Sequence, residues 1–368
     1  MPSLDDVAKS AKVSISTASR VLNGTKLSER ISLDCATRVR EAARAVGYIG
    51  GYHRRAIRSG KTETLGVVVE INSPNPHCDL PSALSNIFHS QIIAGVEQAT
   101  HSVGYNLSLI VPSEKQRANV RGAGQVSEGR VDGLVILPTN NRPENTIILR
   151  KAPDLPIAAI SPVVATDLPS VLQDFQAAVD LLICHLFQLG HRHLLYFGPK
   201  EESAVPLNRN REVMFRNATA QQGITGQVCV HQTLHQETAV YLWDVVEQQM
   251  SALDTWLHAN PRSFTAIVCF NDMTAVTACR VLARHGLRVP GDVSVTGIDN
   301  VDPTLTIPTL TTIDVRLLDL GFRAARIVLD MIEGGETVRN TFRGHTEVLA
   351  PRLFVRDSTG PVTAWKSG

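Results

Sequence analysis

Two helix starts lie eleven residues apart at the N-terminus, and the stretch between them leaves room for only one tight turn. Ser3 is followed three positions later by Asp6, the reciprocal pattern of a capping box, so a first helix carrying Val7 and Ala8 opens there. Residues 10–13 are expected as the turn. Ser14 caps a second helix that runs through Asn23, and Gly24 stops it. Two short helices joined so tightly form a helix-turn-helix, a unit whose second helix fits a DNA major groove. That helix would bury Ala18, Val21 and Leu22 and turn Ser14, Ile15, Ser16, Thr17, Ser19 and Arg20 outward. Hydroxyls suit phosphate oxygens, and arginine suits the paired acceptors of guanine. An ordinary helical hairpin with a serine-rich face satisfies the same local pattern.

Charge separates the two readings. Residues 1–60 hold eleven Lys/Arg against five Asp/Glu, a net of +6. The whole chain has 36 against 35, so residues 61–368 carry 25 against 30, a net of −5. A near-neutral protein has gathered its positive charge on one small terminal unit, which is the electrostatic footprint of phosphate contact.

A third helix follows, with Ser32 as its cap, Leu33, Ala36, Val39, Ala43 and Val46 at helical spacing, and Gly47 at its end. These residues resemble the LacI/GalR family of transcriptional regulators. The match runs through Leu4, Val7 and Ala8, then Val13-Ser14-x-Ser16-Thr17-x-Ser19-Arg20-Val21-Leu22-Asn23-Gly24, then Gly47-Tyr48, and through further motifs to the end of the chain. The resemblance implies that Ile15, Ser16 and Arg20 read bases, while Ser14, Thr17, Ser19 and Asn23 hold the phosphate backbone. Lys12 stands where the family commonly has a turn glycine, and a left-handed backbone there would cost roughly 1 kcal/mol. Residues 25–30 lengthen the following loop.

Residues 49–60 occupy the place of the family's hinge helix. The resemblance assigns Ile57 as an apolar minor-groove wedge set among Arg54, Arg55 and Arg58, a known route to bent DNA. Gly50 and Gly51 replace the usual proline and cap, which lowers helix stability, and His53 replaces an aliphatic residue. For the free protein a charged linker is the simpler expectation.

From Thr64 onward apolar runs recur at 65–69, 107–111, 133–137, 157–160, 194–197, 265–270 and 293–296, with helical stretches at 91–103, 177–189, 272–285 and 317–332. Strands without alternation, separated by helices, predict parallel sheets covered on both faces. About 300 residues exceed one such core, so two lobes are expected. The fold class is therefore an all-α helix-turn-helix headpiece followed by an α/β core. The resemblance implies a two-lobed core like that of periplasmic binding proteins, closing on a ligand, with the chain crossing between lobes near Gln173, Arg316 and Arg339. The expected divisions are a headpiece at 1–48, a hinge at 49–61, a core at 62–358 and a tail at 359–368.

Open sheets of this kind bind small molecules at the carboxyl ends of their strands. Phe270-Asn271-Asp272 follows one strand and Gly297-Ile298-Asp299-Asn300 another. Arg211 and Phe215 match the family's Arg-x-x-Gly-aromatic motif, with Met214 in place of the glycine. By resemblance Arg211, Asn271 and Asp299 bond the ligand, and their guanidinium, amide and carboxylate suit a polyhydroxyl molecule. Asp272 and Asn300 read equally well as helix or turn caps, and Asp299 as a turn residue. In the first lobe Asn75-Pro76 is present, but the helix motif ending in Gly95-Val96-Glu97 comes about a dozen residues late, so 77–87 reads as an inserted loop. Phe88 then falls at the spacing of the family's ligand-contacting aromatic.

Other chemistry has little support. His185, His191 and His193 lack an acid or cysteine to complete a metal set. The six cysteines form no Cys-x-x-Cys pair, and no nucleophile elbow or phosphate-binding Gly-Lys-Ser/Thr loop occurs. No cofactor, metal or catalytic activity is expected. With no signal peptide and no apolar run near 20 residues, the chain reads as cytoplasmic and away from membranes. Its expected partners are double-stranded operator DNA, a sugar or related small-molecule effector, and a second copy in a homodimer. The alternative is a solute-binding protein or α/β enzyme with a basic N-terminal extension.

Overall fold

The computed structural model describes residues 2–22, 31–48, 61–68, 87–110, 129–137, 154–161, 167–200, 210–231, 242–260, 263–302, 304 and 306–362. Asn23, hinge residues 49–60 with Arg54, Arg55 and Ile57, and most of the inserted loop lie outside them. The chain divides into two compact units, residues 1–62 and 63–368.

The first unit contains α1 (Leu4–Ala11), α2 (Ile15–Leu22) and α3 (Leu33–Ala45). Both arms of the capping box form: Ser3 Oγ accepts from the Asp6 amide at 3.3 Å, and Asp6 Oδ2 accepts from the Ser3 amide at 2.7 Å. Helix α1 runs on to Ala11, so the expected turn at 10–13 begins two residues late. Lys12 is the turning point, left-handed at φ 52°, ψ 48°, with its amide closing onto the carbonyls of Ala8 and Lys9. The glycine conformation is thus kept with a lysine in place. Gly47 at φ 65° ends the helical run of α3 and lets the Tyr48 amide bond back to the Ala43 carbonyl at 2.8 Å. The core is Val7, Ala8, Ala11, Ala18, Val21, Val39, Ala42 and Ala43. Leu22 and Val46 are only half-buried, and Leu33, expected to pack, is 86 % exposed. Leu33 is the first residue of α3, where helical spacing places the side chain before the helix has reached the core.

Among its described residues the second unit holds two six-stranded sheets. The first contains β1 (Thr64–Val68), β2 (Asn106–Ile110), β3 (Gly133–Ile136), β4 (Ile157–Ile160), β5 (Ser170–Gln173) and β11 (Thr346–Leu349), in the order β11-β5-β4-β3-β1-β2. The second contains β6 (His193–Pro199), β7 (Thr225–His231), β8 (Ala266–Cys269), β9 (Ser294–Ile298), β10 (Thr311–Asp314) and β12 (Arg352–Phe354), in the order β12-β10-β9-β8-β6-β7. Among the described residues all pairings are parallel except β10 with β12. Successive strand residues serve opposite faces. Leu194 and Tyr196 join one core, and Leu195 and Phe197 the other. Burial on both sides explains the unbroken apolar runs.

Helices α4 (Ile87–Ser102) and α9 (Leu317–Phe342) pack on the first sheet. Around the second lie α5 (Phe175–Gln188), α6 (Arg211–Gln221), α7 (Leu242–Ala259) and α8 (Asp272–Arg284). Helices α4 and α9 meet at two glycines. A Cβ at Gly95 would overlap the Leu318 carbonyl, and one at Gly321 would overlap that of Ile92. Only residues without a side chain allow these backbones to touch.

The chain passes between sheets after β5, after β10 and between β11 and β12. The third passage is at Ala350 and Pro351, later than the expected neighbourhood of Arg339, because the helical segment of α9, broken at Gly335 by a non-helical backbone, continues to Phe342 and β11 still belongs to the first sheet. The segment expected to leave as a tail at 359 is also bonded in. Thr359 Oγ1 pairs with Thr311 Oγ1 at 2.9 Å, and the Val362 amide donates to the Leu189 carbonyl at 3.0 Å. Among the described residues no helix is long and apolar enough to cross a membrane.

The α4–α9 contact yields a prediction. Gly95→Ala should gain up to about 1 kcal/mol of helix propensity, yet lose more by forcing two backbones apart, a cost on the order of 3 kcal/mol for overpacking without a flexible neighbour. A lowered urea midpoint for the core is expected. An unchanged midpoint would show that the helices separate freely.

Candidate functional site: a polar cleft and a helix-turn-helix face

Each sheet reverses its direction of growth at one place, β1/β3 in the first and β6/β8 in the second. The carboxyl end of such a switch point is where an open α/β sheet leaves a crevice. Arg211 opens α6 after β6, Asn271 caps α8 after β8, and Asp299 follows β9 directly. The topology therefore brings these three residues to the same edge of the second sheet. On the first lobe, Phe88 lies in the opening turn of α4, half-buried and edge-on to His89 at 5.4 Å.

Arg211 is buried at 6 % exposure. Its guanidinium lies between two rings, 4.1 Å from the centroid of Phe175 and 4.2 Å from that of Phe270, and donates to the Phe270 carbonyl. Cation–π contact and a carbonyl together hold a charge that burial would otherwise make costly. Met214, where the family has glycine, is buried in the lobe's core.

Asn271 Oδ1 accepts from the Thr274 amide and the Thr274 hydroxyl, each at 2.9 Å. The cap thus uses the oxygen, leaving the amide nitrogen as the group able to donate to a ligand.

Asp299 is buried at 5 % exposure and has φ 110°, and Asn300 beside it has φ 53°. Two consecutive non-glycine residues at positive φ store backbone strain, a feature that gathers at ligand clamps. The amide of Asp299 donates to the Ile313 carbonyl at 2.8 Å, but its Oδ1 has no hydrogen-bond partner among the described residues. Burial pushes the carboxyl up to about 7, Arg211 opposes that shift and Asp272 adds to it.

Asp272, read from sequence as a cap, proves to be the strut of this loop. It is 1 % exposed, accepts from the Thr312 hydroxyl through Oδ1 and from the Val301 amide through Oδ2 at 3.0 Å. Burial raises its carboxyl to about 6 despite these bonds. A Cβ at Gly297 would overlap Asp272 Oδ1, so glycine there makes room for the carboxylate. Arg356 fixes the other side, donating to Asn300 Oδ1 at 2.8 Å and the Leu310 carbonyl at 2.7 Å. Gln91 of α4 spans the lobes, its Nε2 donating to the Val301 carbonyl at 3.1 Å. Arg356 and Gln91 lie outside the motifs, Asp272 lies in one but was read as a cap, and their partners are 29 to 210 residues away. Of the histidines considered for metal, His191 bonds Thr265, Ser294 and Gly360, and His185 bonds Thr359.

In the first unit, Ser14 Oγ accepts from the Thr17 amide at 3.1 Å and pairs with the Thr17 hydroxyl at 2.8 Å, which starts α2. Ile15, Ser16 and Arg20 are exposed, while Thr17 and Ser19 are half-buried. Ile15 keeps half of its surface open on a face that its own core does not cover.

Comparisons with known proteins fit both halves. Residues 3–50 match the model for bacterial regulatory proteins of the lacI family, and residues 183–359 match that for a periplasmic binding protein-like domain. The HTH-type transcriptional repressor PurR of Vibrio vulnificus (strain CMCP6) is 28 % identical over 366 residues, covering 97 % of this chain and 98 % of that one. Catabolite control protein A of Priestia megaterium is 27 % identical over 326 residues, covering 88 % and 90 %. The lac repressor dimer bound to operator and the anti-inducer ONPF shares the fold at a TM-score of 0.73 and 23 % identity, covering 98 % of this chain and 99 % of that one. The transcriptional regulator CelR in complex with cellobiose does so at 0.63 and 23 %, covering 97 % and 100 %. With a helix-turn-helix of this type preceding a core of this type, the chain belongs to the lacI family and is a DNA-binding transcriptional regulator with a periplasmic-binding-protein-like core.

Proposed function

We propose that the protein is a repressor that binds an operator as a homodimer and is controlled by a small polar ligand held between its lobes. Arg211, Asn271 and Asp299 bond the ligand from the second lobe, and Phe88 lies against it from the first. The observation that carries this reading is Asp299, a buried carboxylate in strained backbone with an unpartnered oxygen near a ring-clamped Arg211. A structure leaves such an oxygen bare at a cost of about 1–3 kcal/mol unless something else satisfies it. Hydroxyl or ring N–H groups of a sugar or related metabolite would do so. Solved relatives by fold carry cellobiose and ribose, and a lac repressor dimer sits on operator DNA.

Ile15, Ser16 and Arg20 read bases, and Ser14, Thr17, Ser19 and Asn23 meet phosphates. The headpiece spans 1–48 and a hinge 49–61, in which Arg54, Arg55 and Ile57 enter the minor groove. The protein acts by binding rather than catalysis, without a cofactor, in the cytoplasm.

Arg20→Ala should cost about 1–3 kcal/mol of discrimination between operator and random DNA. Equal loss on both, measured by fluorescence anisotropy, would assign Arg20 to phosphate.

A thermal-shift screen of sugars and purines would find the effector. With it, Asp299→Ala should abolish the ligand's effect on operator binding, expected at about 5- to 150-fold from the usual size of allosteric coupling, and leave ligand-free DNA affinity intact. A normal response in that variant would move the effector elsewhere.

The raised Asp299 carboxyl has a signed consequence. A group whose folded value lies near 7 rather than 3.8 favours folding fully below about pH 4, and that contribution is lost as pH rises through about 7. Asp299→Asn should therefore stabilise the ligand-free protein at pH 8 relative to wild type, and less so at pH 5. Denaturant midpoints at both values test this, and a pH-independent difference would contradict it.

A further inference from the structure

We propose that the second lobe carries a site for a late transition-metal cation, Zn2+ being the best fit, made by Asp254, His258 and His285. None of these belongs to the effector cleft or the DNA-binding face. Asp254 and His258 are one turn apart on α7, and His285 is the C-cap of α8. One ligand atom from each lies within 4.8 Å of the other two. Asp254 Oδ1 is 2.7 Å from His285 Nε2 and Asp254 Oδ2 is 3.8 Å from His258 Nδ1, with the two imidazoles edge to face at 5.0 Å.

Metal–ligand bonds near 2.0–2.2 Å place tetrahedral donors roughly 3.3 Å apart, so small side-chain rotations would close these three on one ion. Two imidazoles and a carboxylate select zinc, nickel or copper over magnesium or calcium. With three protein ligands, the fourth position is open to water.

The helix ends favour a cation at this place. Helix α7 ends at Ala259 and α8 at Arg284, so both terminate beside the cluster. Each C-terminus carries partial negative charge from carbonyls without amide partners. Arg284 opposes this, its charge acting on Asp254. His258 Nδ1 lies 2.8 Å from the Asp254 carbonyl. Bound metal would pin α7 to α8, whose other end presents Asn271 and Asp272.

The test uses the full chain, stripped with chelator and titrated with ZnCl2 alone by calorimetry and thermal shift, and with CoCl2 by visible absorption. One equivalent of Zn2+ should bind and raise the melting temperature, MgCl2 should not, and Co2+ should give the intense visible bands of a four-coordinate site. His258→Gln and His285→Gln should each lose more than the roughly 10- to 100-fold in affinity that outer-shell changes cost. His258 is exposed, so that variant keeps the test valid even if His285→Gln unfolds. No Zn2+ uptake by the wild type, an equal response to Mg2+, or unchanged uptake in the single His258→Gln variant would overturn the proposal.

Discussion

A parallel strand buried between two layers of helix offers no face to water, and both lobes of the core are built around that constraint. Every inner strand must find apolar neighbours above and below, so helices have to cover both sides and crossovers have to be long. The cost is close packing at particular points. Helices α4 and α9 share one face of the first sheet only because Gly95 and Gly321 remove the side chains that would hold them apart. On the second sheet the same need is met by ordinary apolar layers, with Leu195, Phe197, Ile267 and Val295 meeting α7 and α8.

The cleft follows from that arrangement. Strands that leave β6 and β8 in opposite directions open a crevice at their carboxyl ends, and helix starts line it. Because the floor is already desolvated, any charge placed there must be held by specific partners. Arg211 has two rings and a carbonyl. Asp272 has a hydroxyl and an amide. Asp299 has a backbone bond and the more distant charge of Arg211, and its Oδ1 has no hydrogen-bond partner among the described residues.

The N-terminal unit works by different physics. Among its described residues eight small apolar side chains form the core, so local devices carry much of its order: a full capping box, two serine caps and a left-handed Lys12. Its small size leaves Ile15, Ser16 and Arg20 on the surface, the condition for reading a groove.

Wherever structure depends on near neighbours, the sequence alone determined it. The Ser3–Asp6 box, the Ser14 and Ser32 caps, the buried apolar runs of β1, β3, β4, β6 and β8, and the positions of Arg211, Asn271 and Asp299 at element ends were all legible there. Helical spacing overreached at Leu33, because a helix's first residue need not face its core. The short strands β5, β10 and β12 and the edge strand β7 were not legible, since they lack long apolar runs and exist through their neighbours. The third passage between lobes and the bonding of residues 359–362 also depended on β11 and β12 finding distant partners. Tertiary structure alone decided the strut at Asp272, the clearance at Gly297, the Gln91 bridge and the Asp254–His258–His285 cluster. Except for Asp254 and His258, one turn apart on α7, the interacting atoms are brought together by the tertiary fold from positions too far apart in the chain for any local pattern to record.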